Sequence, residues 1–594
     1  MKWRTKKEIQ KTELDKVFDY IDKDLLLSRI CYELNIEKDK LYSYIDEEEL
    51  KRLLCTILIN RDINTKEKID NLFNNIDECI TDPHKLINAN TATDIIEKYL
   101  RMDNSSIYIY GDYDVDGVIS LFILTGVLQR LTTNKVIPIV PERINGYGLS
   151  MNFCESLVNS KNENDNILVL TVDNGITKKD EVKLLTDNNI EVIITDHHPS
   201  IEGQVPDCLV VDAHNSSINQ DDTFKHLCGS GIAFKISQLV NERFNIFDML
   251  NYTPYLAIAT LADVMPLNNE NMALIQYGLE IINSENCPKG ILELKRVCGI
   301  DILTSTDILW SIAPMINACG RLGNTALASK LFFENDNAAD IAKEIKSLNE
   351  KRKEITKEAV KEIKQMNFDD NKVCIIPTVK YPAGILGIIA GKVREEFNKP
   401  ALVASATNDG HYHGSIRSRE DINMIPLLKD MKDIGIIVDY GGHPGACVCT
   451  FDIDKIDEMN SYFNKNIMIE DSLLEVFSEE DRILDIDEEI TIDHLNEVIY
   501  SIVNILPYDN RTYKNPVFAL TDLKVVGYKL SKNNPNNIKF TLKEGKKKIE
   551  IWAWGFADKY INELGCPDTI HIAGEITKSF MGSYYTFNVI DIMA

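Results

Sequence analysis

The sequence lacks any uninterrupted apolar run of the roughly 18 residues that a membrane-spanning helix needs. Its first residues, MKWRTKKEIQ, are basic but run straight into charged positions, without the apolar segment of a secretory leader. It has no C-x-x-C pair. Its 13 cysteines are odd in number and scattered, with Cys447 and Cys449 the nearest neighbours. That usage excludes a disulfide framework and a cysteine-built zinc site, and it leads us to expect a reducing, cytoplasmic setting. Positive charge is scarce: 65 Lys and Arg stand against 92 Asp and Glu, a net charge of −27. A protein that coats duplex DNA non-specifically needs the opposite balance. The deficit still permits an enzyme with a local basic groove, and carboxylates gathered around metal ions would deepen it. No fixed-period repeat or low-complexity tract occurs.

What is present is the composition of a folded chain. The 594 residues are 44% hydrophobic and 26% charged. At roughly 100–200 residues each, they make about three to five domains. Residues 1–100 read as a helical N-terminal region, with Leu50, Leu53, Leu54, Ile57 and Leu58 at helical spacing. The pattern changes over residues 101–335. Short apolar runs at Ile107–Tyr110, Val136–Val140, Ile167–Val172, Glu191–Thr195 and Cys208–Val211 alternate with candidate helices at 118–131, 150–160 and 177–188. This alternation predicts an α/β domain, a parallel sheet covered by helices. Residues 230–330 read as mostly helical.

Residues 336–367 form the clearest single helix. Ile341, Ile345, Leu348, Ile355, Ala359, Ile363 and Met366 recur every three or four positions, with no Gly or Pro among them. At ~1.5 Å per residue it spans about 45 Å. We read it as a bridge between domains rather than a coiled-coil arm, because strand patterns resume at Val373. Residues 368–455 read as a smaller α/β domain, with strands at Val373–Ile376, Ala401–Ser405, Gly435–Val438 and Ala446–Phe451. Residues 456–594 divide into an acidic helical segment reaching position 500 and an all-β region. Its short strands at Val517–Val526, Asn537–Leu542, Lys548–Trp554, Thr569–Glu575 and Tyr584–Ile590 have the pattern of an OB-like β-barrel.

Three polar clusters follow three of the apolar runs: Gly111-Asp112-Tyr113-Asp114-Val115-Asp116-Gly117, Asp173-Asn174-Gly175 and Asp196-His197-His198. In an open α/β sheet ligands bind outside the carboxyl ends of the strands, so all three clusters fall on one edge. Alone, the first imitates an EF-hand loop. Ile123 stands where that loop needs Glu, and a strand rather than a helix precedes it. A lone DNG is usually a turn, and a lone HH pair is usually surface. Three in register at successive strand ends call for a cation, and mixed Asp and His donors suit Mn²⁺, Fe²⁺ or Zn²⁺ better than Ca²⁺. The Gly384–Lys392 segment fails the P-loop pattern, since Leu386 occupies the first Gly position and Val393 follows Lys392.

GDYDVDG, VDNG and DHH, in this order, resemble the motifs of the DHH phosphoesterase superfamily, and Ala262-Asp263-Val264-Met265-Pro266-Leu267 is similar to its fourth. The chain resembles the RecJ branch in particular, the single-strand-specific 5′→3′ DNA exonucleases. The resemblance runs over nearly the whole chain. It takes in Asp82–Leu86, Pro141-Glu142-Arg143, Gly146-Tyr147-Gly148, Asn317–Leu322, Gly414–Ser418 and Gly441–Gly445. The last two are similar to the DHH-associated domain, and the barrel matches the branch's OB domain in position.

The resemblance implies metal ligands at Asp114, Asp116, Asp173, His197 and Asp263, with Asp173 bridging two ions of Mn²⁺ or Mg²⁺. Asp112 and His198 stand beside them, as loop-ordering or phosphate-side groups. Arg143, Ser415 and Arg417 are implied to hold the 5′ phosphate or first nucleotides, and Arg321 and His443 to contact phosphates near the metals. Guanidinium forks suit that task. Single-strand-binding protein and a RecQ-type helicase are implied partners, and a monomer is expected. Two other functions compete: hydrolysis of short oligonucleotides or cyclic dinucleotides, and a non-catalytic replication scaffold. The C-terminal barrel weighs against the first and the full set of carboxylates against the second. Tyr381-Pro382, Met272 and Asp509–Lys514 depart from the branch's pattern. In the barrel, Trp552 and Trp554 share one strand face by the two-residue period; such alternation is more often core than a base-stacking surface beside the nearby lysines.

Overall fold

The computed structural model describes every residue except 1, 7–8, 35, 74–75, 144–145, 201–202, 216–221, 246–247, 268, 408–409, 468–482, 510, 533 and 579–584. Strand β1 (Lys2–Thr5) comes first, so residues 1–100 are not wholly helical. Its KWRT sequence has no apolar alternation, and only Trp3 is partly covered. Helices follow, among them Glu47–Ile59, which buries Leu50, Leu53, Leu54, Ile57 and Leu58. No helix among the described residues is long and apolar enough to cross a membrane.

Five strands then build a wholly parallel sheet. They are β2 (Ser105–Tyr110), β3 (Lys135–Ile139), β4 (Asn166–Val172), β5 (Glu191–Thr195) and β6 (Leu209–Val211), in the order β3-β2-β4-β5-β6. The central strands are apolar at most positions because both faces are covered. Ile107, Ile109, Leu168 and Leu170 enter one core, and Tyr110, Val169, Val192 and Ile194 enter the other. From β2 the chain steps outward to β3, then returns past β2 to β4. That reversal sets the ligand-binding crevice between β2 and β4, at the carboxyl edge.

The helix Ala338–Ile363 is a strut. Its first half puts Ile341, Ala342 and Ile345 into a core shared by the N-terminal region, the parallel sheet and the C-terminal strands. Its second half puts Ala359 and Ile363 into a separate core. That second core belongs to a sheet of β7 (Cys374–Thr378), β8 (Ala401–Ala406), β9 (Tyr412–Arg417), β10 (Asp439–His443) and β11 (Ala446–Phe451). The order is β10-β11-β9-β8-β7, with only β7 and β8 parallel. The Gly435–Val438 run is not a strand. It is the turn after the helix Met424–Asp433, with Gly435 at φ 74° and Ile436 and Ile437 tucked into the core.

The acidic stretch that follows is helical over Ile456–Asn466 and again over Glu497–Val503, not throughout. Residues 468–482 lie outside the described residues. Between the two helices come β12 (Ile483–Ile486) and β13 (Glu488–Ile490). The last strands are β14 (Phe518–Leu530), β15 (Ile538–Glu544), β16 (Lys547–Ala553), β17 (Thr569–Lys578) and β18 (Tyr585–Met593). They form an antiparallel sheet, β16-β15-β14-β17-β18, with β13 parallel on β14. This is the OB-like barrel; Tyr584, expected to open its last strand, lies outside the described residues.

The two ends of the chain are clasped. β1 pairs in parallel with β12, Lys2 opposite Ile483. Arg61, at the end of the Glu47–Ile59 helix, reaches Asp487 at 3.3 Å and donates to Lys514 O at 2.8 Å. Asp487 also accepts from Lys6 and Asn60. Both Arg61 and Asp487 are buried. Removing one partner of a buried pair leaves the other charge without compensation, at a cost of about 3–5 kcal/mol. Arg61→Ala is therefore expected to lower stability to urea by about 3 kcal/mol. An unchanged unfolding midpoint would show that the clasp contributes nothing.

Candidate metal centre

The loop after β2 is tight. A Cβ on Gly117 would lie 2.5 Å from Asp112 N, so only glycine lets the chain fold back there. Asp114 caps the helix Val115–Gln129, its Oδ1 accepting from Gly117 N at 3.1 Å. Asp116 is buried and held by a second helix, Gly229–Phe244. Gly229 N donates to its Oδ2 at 2.6 Å, Ser230 N to its Oδ1 at 2.9 Å, and Ser230 Oγ to its carbonyl at 3.0 Å. A Cβ on Gly229 would lie 2.5 Å from Asp173 Oδ1. Sequence reasoning missed Gly229 and Ser230, because small uncharged residues carry no chemical signal; the trace available was a Gly-Ser-Gly run opening a helix.

Asp173 leaves β4 at φ 63°, a left-handed backbone. Beyond β5, Asp196 organises the histidines. Its Oδ1 accepts from His197 N at 2.8 Å and His198 N at 3.2 Å and lies 2.7 Å from His198 Nδ1, while its Oδ2 accepts from Ile176 N at 3.0 Å. Tyr147 stands over them, its hydroxyl 3.0 Å from His198 Nδ1. Asp263 ends the helix Thr253–Ala262.

These residues converge. His197 Nε2 is 3.1 Å from Asp173 Oδ1, 3.6 Å from Asp263 Oδ2 and 3.8 Å from Asp116 Oδ2. It is buried and makes no hydrogen bond to any of them, and Asp112 Oδ1 and Asp173 Oδ1 are likewise buried without partners. Three overlapping sets each bring their ligand atoms within 4.8 Å of one another: Asp112, Asp114 and Asp173; Asp116, His197 and Asp263; Asp173, His197 and His198. Burial and the neighbouring carboxylates hold the Asp112 and Asp173 carboxyls well above the usual range. Burial and Asp116 push Asp263 up to about 8. Burial and His198 push His197 down to about 4. Burial opposes charge on His198 too, but Asp196 outweighs it and raises the ring to about 9. Partnerless donor atoms aimed at one another, among carboxylates that cannot ionise together, fit divalent cations.

A cluster of positive charge lies opposite. Arg143 sits over the Tyr113 ring at 4.7 Å. Arg321 Nη1 donates to Gly384 O at 3.1 Å, joining the parallel-sheet body to the second domain. Arg417 donates to Ser415 Oγ at 3.2 Å and Ile416 O at 2.8 Å. Arg352, midway along the strut, donates to Asn349 Oδ1 at 3.0 Å. Burial and repulsion from Arg143 and Arg352 push Arg321 down to about 10. His443 lies exposed at the end of β10, in the same cross-strand row as Arg417. Sequence reasoning missed Arg352 because it sits among Lys and Glu on a helix that reads as solvent-facing.

The departures have structural accounts. Met272 is core. Tyr381 donates to Glu362 on the strut at 2.8 Å. Asp509 Oδ1 accepts from the backbone N–H groups of Arg511, Thr512 and Tyr513, and Thr512 Oγ1 accepts from Leu267 N at 3.2 Å. That loop thus braces the segment just after Asp263.

Asp263 binds a proton in the folded state up to about pH 8, whereas an unfolded Asp loses it near pH 4. Between those limits the folded state holds more protons than the unfolded, so metal-free stability falls as pH rises. The Tm in chelator should drop from pH 5.5 to pH 8. Mn²⁺ should reverse the drop and release protons into weakly buffered solution. Binding without proton release would refute this account of the cluster.

Comparison with known proteins supplies the family. Residues 106–262 match the DHH family, N-terminal domain, residues 370–468 the DHHA1 domain, and residues 486–586 the RecJ OB domain. The single-stranded-DNA-specific exonuclease RecJ of Bacillus subtilis (strain 168) is 29% identical over 543 residues, 88% of this chain; the chain spans 65% of that relative's length. A crystal structure of RecJ in complex with Mn²⁺ from Thermus thermophilus superposes with a TM-score of 0.72 at 22% identity, covering 100% of this chain and 79% of that one. A crystal structure of exonuclease RecJ bound to manganese gives a TM-score of 0.55 at 28% identity, over 64% of this chain and 94% of that one. With these three domains in this order, the chain belongs to the RecJ branch of the DHH family.

Proposed function

We propose that the protein is a metal-dependent exonuclease that degrades single-stranded DNA from its 5′ end to mononucleotides, in cytoplasmic DNA repair and recombination. The observation that carries this reading is the facing of two clusters across one cleft: carboxylates that cannot ionise together, and guanidinium groups crowded by one another. A phosphodiester supplies the negative charge the second lacks, and cations supply the positive charge the first lacks. The manganese named for the 28% identical relative supports Mn²⁺, or Mg²⁺ in its place.

In this reading Asp114, Asp116, Asp173, His197 and Asp263 hold two ions, with Asp173 shared. When bound, such ions would lower the pKa of water and screen the scissile phosphate. Asp112 and His198 border that site. Asp196 keeps His198 protonated, so the ring offers positive charge and an N–H to a phosphate oxygen. Arg143, Ser415 and Arg417 grip the 5′ phosphate end. Arg321, His443 and Arg352 contact the following phosphates, and bidentate forks fix the strand's register. The Arg321–Gly384 contact ties the two bodies together, and a groove bounded by both would admit a single strand rather than a duplex. The protein acts as a monomer alongside single-strand-binding protein and a RecQ-type helicase.

The test uses 5′-labelled and 3′-labelled single-stranded DNA with Mn²⁺, and Asp173→Ala as control. The 5′ label should leave first, as mononucleotide, and the variant should be inactive. Cleavage of dinucleotides but not of either strand would shift the substrate class. Silence on both, with metal still bound, would favour a scaffold. Arg352→Ala should lower kcat/KM by about 10–100-fold, the worth of one hydrogen bond to a charged group. Full activity would remove Arg352 from the substrate path.

A further inference from the structure

We propose that Arg511 and Thr512, on the loop leading into the barrel, are positioning residues for the metal ligand Asp263, and that the strained backbone of Val264 makes Asp263 depend on them. The proposal rests on the reading given above only in taking Asp263 as a ligand.

Asp263 is placed differently from the other ligands. Asp114, Asp116, Asp173 and His197 follow β2, β4 and β5 of the parallel sheet. Asp116 is gripped by the backbone N–H groups of Gly229 and Ser230, and Asp114 accepts from Gly117 N. No hydrogen bond from a described residue orients the Asp263 carboxyl; burial and neighbouring charges alone act on it. Its place is therefore set by the backbone at the end of the helix Thr253–Ala262.

That end is a Schellman turn. Val264 N donates to Leu261 O at 3.0 Å and Met265 N to Thr260 O at 3.1 Å, the two bonds that close a helix through a left-handed residue. The left-handed residue is usually glycine, but here it is Val264, at φ 53°. A β-branched side chain is an outlier in that region. Such strain persists only where surrounding contacts over-determine it. Packing does not account for the valine: it is half-buried and joins none of the apolar cores of the described residues.

The restraining contacts come from two directions. From the same body, Asn271 Nδ2 donates to Pro266 O at 2.9 Å and to His226 O at 2.7 Å. From the loop before β14, Arg511 Nη1 donates to Val264 O at 3.4 Å, and Thr512 Oγ1 accepts from Leu267 N at 3.2 Å. The loop is preformed, because Asp509 Oδ1 ties the N–H groups of Arg511, Thr512 and Tyr513 together. Arg511 and Thr512 are exposed, so neither is there to fill a core. Without the loop's grip, Val264 relaxes toward the extended region and re-aims the chain at Asp263. Glycine, indifferent to the sign of φ, would hold the turn unaided. Valine thus ties a ligand of the metal centre to a loop 245 residues on along the chain.

The experiment titrates Mn²⁺ calorimetrically into metal-free, full-length protein. Thr512→Val, which removes the acceptor, should weaken Mn²⁺ binding about tenfold, the lower end for residues that orient a ligand. Thr512→Ser, which keeps the acceptor, should bind as the parent does. Arg511→Ala should also weaken binding, although removing a nearby positive charge would by itself tighten it; the sign separates position from charge. Val264→Gly should bind Mn²⁺ as the parent does and melt no lower in chelator. In that background Thr512→Val should have no effect, the non-additivity of a coupled pair. Parental Mn²⁺ affinity in both Thr512→Val and Arg511→Ala would overturn the proposal, as would an undiminished effect of Thr512→Val beside Val264→Gly. Asp263→Asn separates the two readings. If it binds Mn²⁺ as tightly as the parent, the ligand assignment falls and takes the proposal with it. If it binds weakly while the loop variants bind normally, only the proposal falls.

Discussion

Carboxylates gathered at one edge of a parallel sheet repel one another, and much of the surrounding structure exists to hold them there. Burial raises the cost of charging Asp112, Asp114, Asp173 and Asp263, and each raises it further for its neighbours. The fold restrains them with parts that carry no chemistry themselves. The start of the Gly229–Phe244 helix grips Asp116, Asp196 aligns both histidines, and glycine at 117 lets the loop close. A helix N-terminus suits a carboxylate because its free N–H groups and dipole favour negative charge. The donors are arranged in advance for cations, and the folded protein bears the strain of that arrangement.

The second organising feature is the division of the apolar interior between two bodies. The N-terminal region, one face of the parallel sheet and the barrel share one core, and the smaller sheet packs separate cores of its own. One helix is embedded in both. Its two apolar stripes are fixed, so its middle turns, with Asn349 and Arg352, are held over the gap. The guanidinium groups that oppose the metal cluster thus come from four places: the loop after β3, the end of the Ala313–Arg321 helix, the strut, and β9. Arg321, Arg352 and Arg417 are pinned by backbone or side-chain oxygens and Arg143 rests on the Tyr113 ring, which helps the fold tolerate their mutual repulsion.

Much of this was legible in the sequence, for physical reasons. Parallel strands buried on both faces are continuous apolar runs, and where they end in Asp and His the chemistry is written beside the fold. The strut was legible from unbroken periodicity. Other elements left little trace. β1 is four residues without alternation. β9 carries His413, Ser415 and Arg417 where an apolar run would have marked a strand. Gly435–Val438 looks like a strand because a turn dips two isoleucines into the core. Trp552 and Trp554 do share a face, but alternation cannot say which face meets water. Arg352 and Ser230 act through tertiary position, which local pattern does not encode.

The clasp between β1 and β12 bears on how the chain is made. Its partners are 481 residues apart. At ribosomal speeds of roughly 5–20 residues per second, the first strand waits on the order of half a minute or more for its mate. Until then it is an open edge, able to pair with the wrong chain. Trp3 bonds to Asp591 and Arg4 to Asp485, so the last of the barrel and the first of the chain are completed in one event. Folding here is a closing of the ring rather than a passage from one end to the other. The lysines and arginine around Trp3, idle in the finished protein except as salt-bridge partners, are the kind of charges that keep a waiting edge soluble.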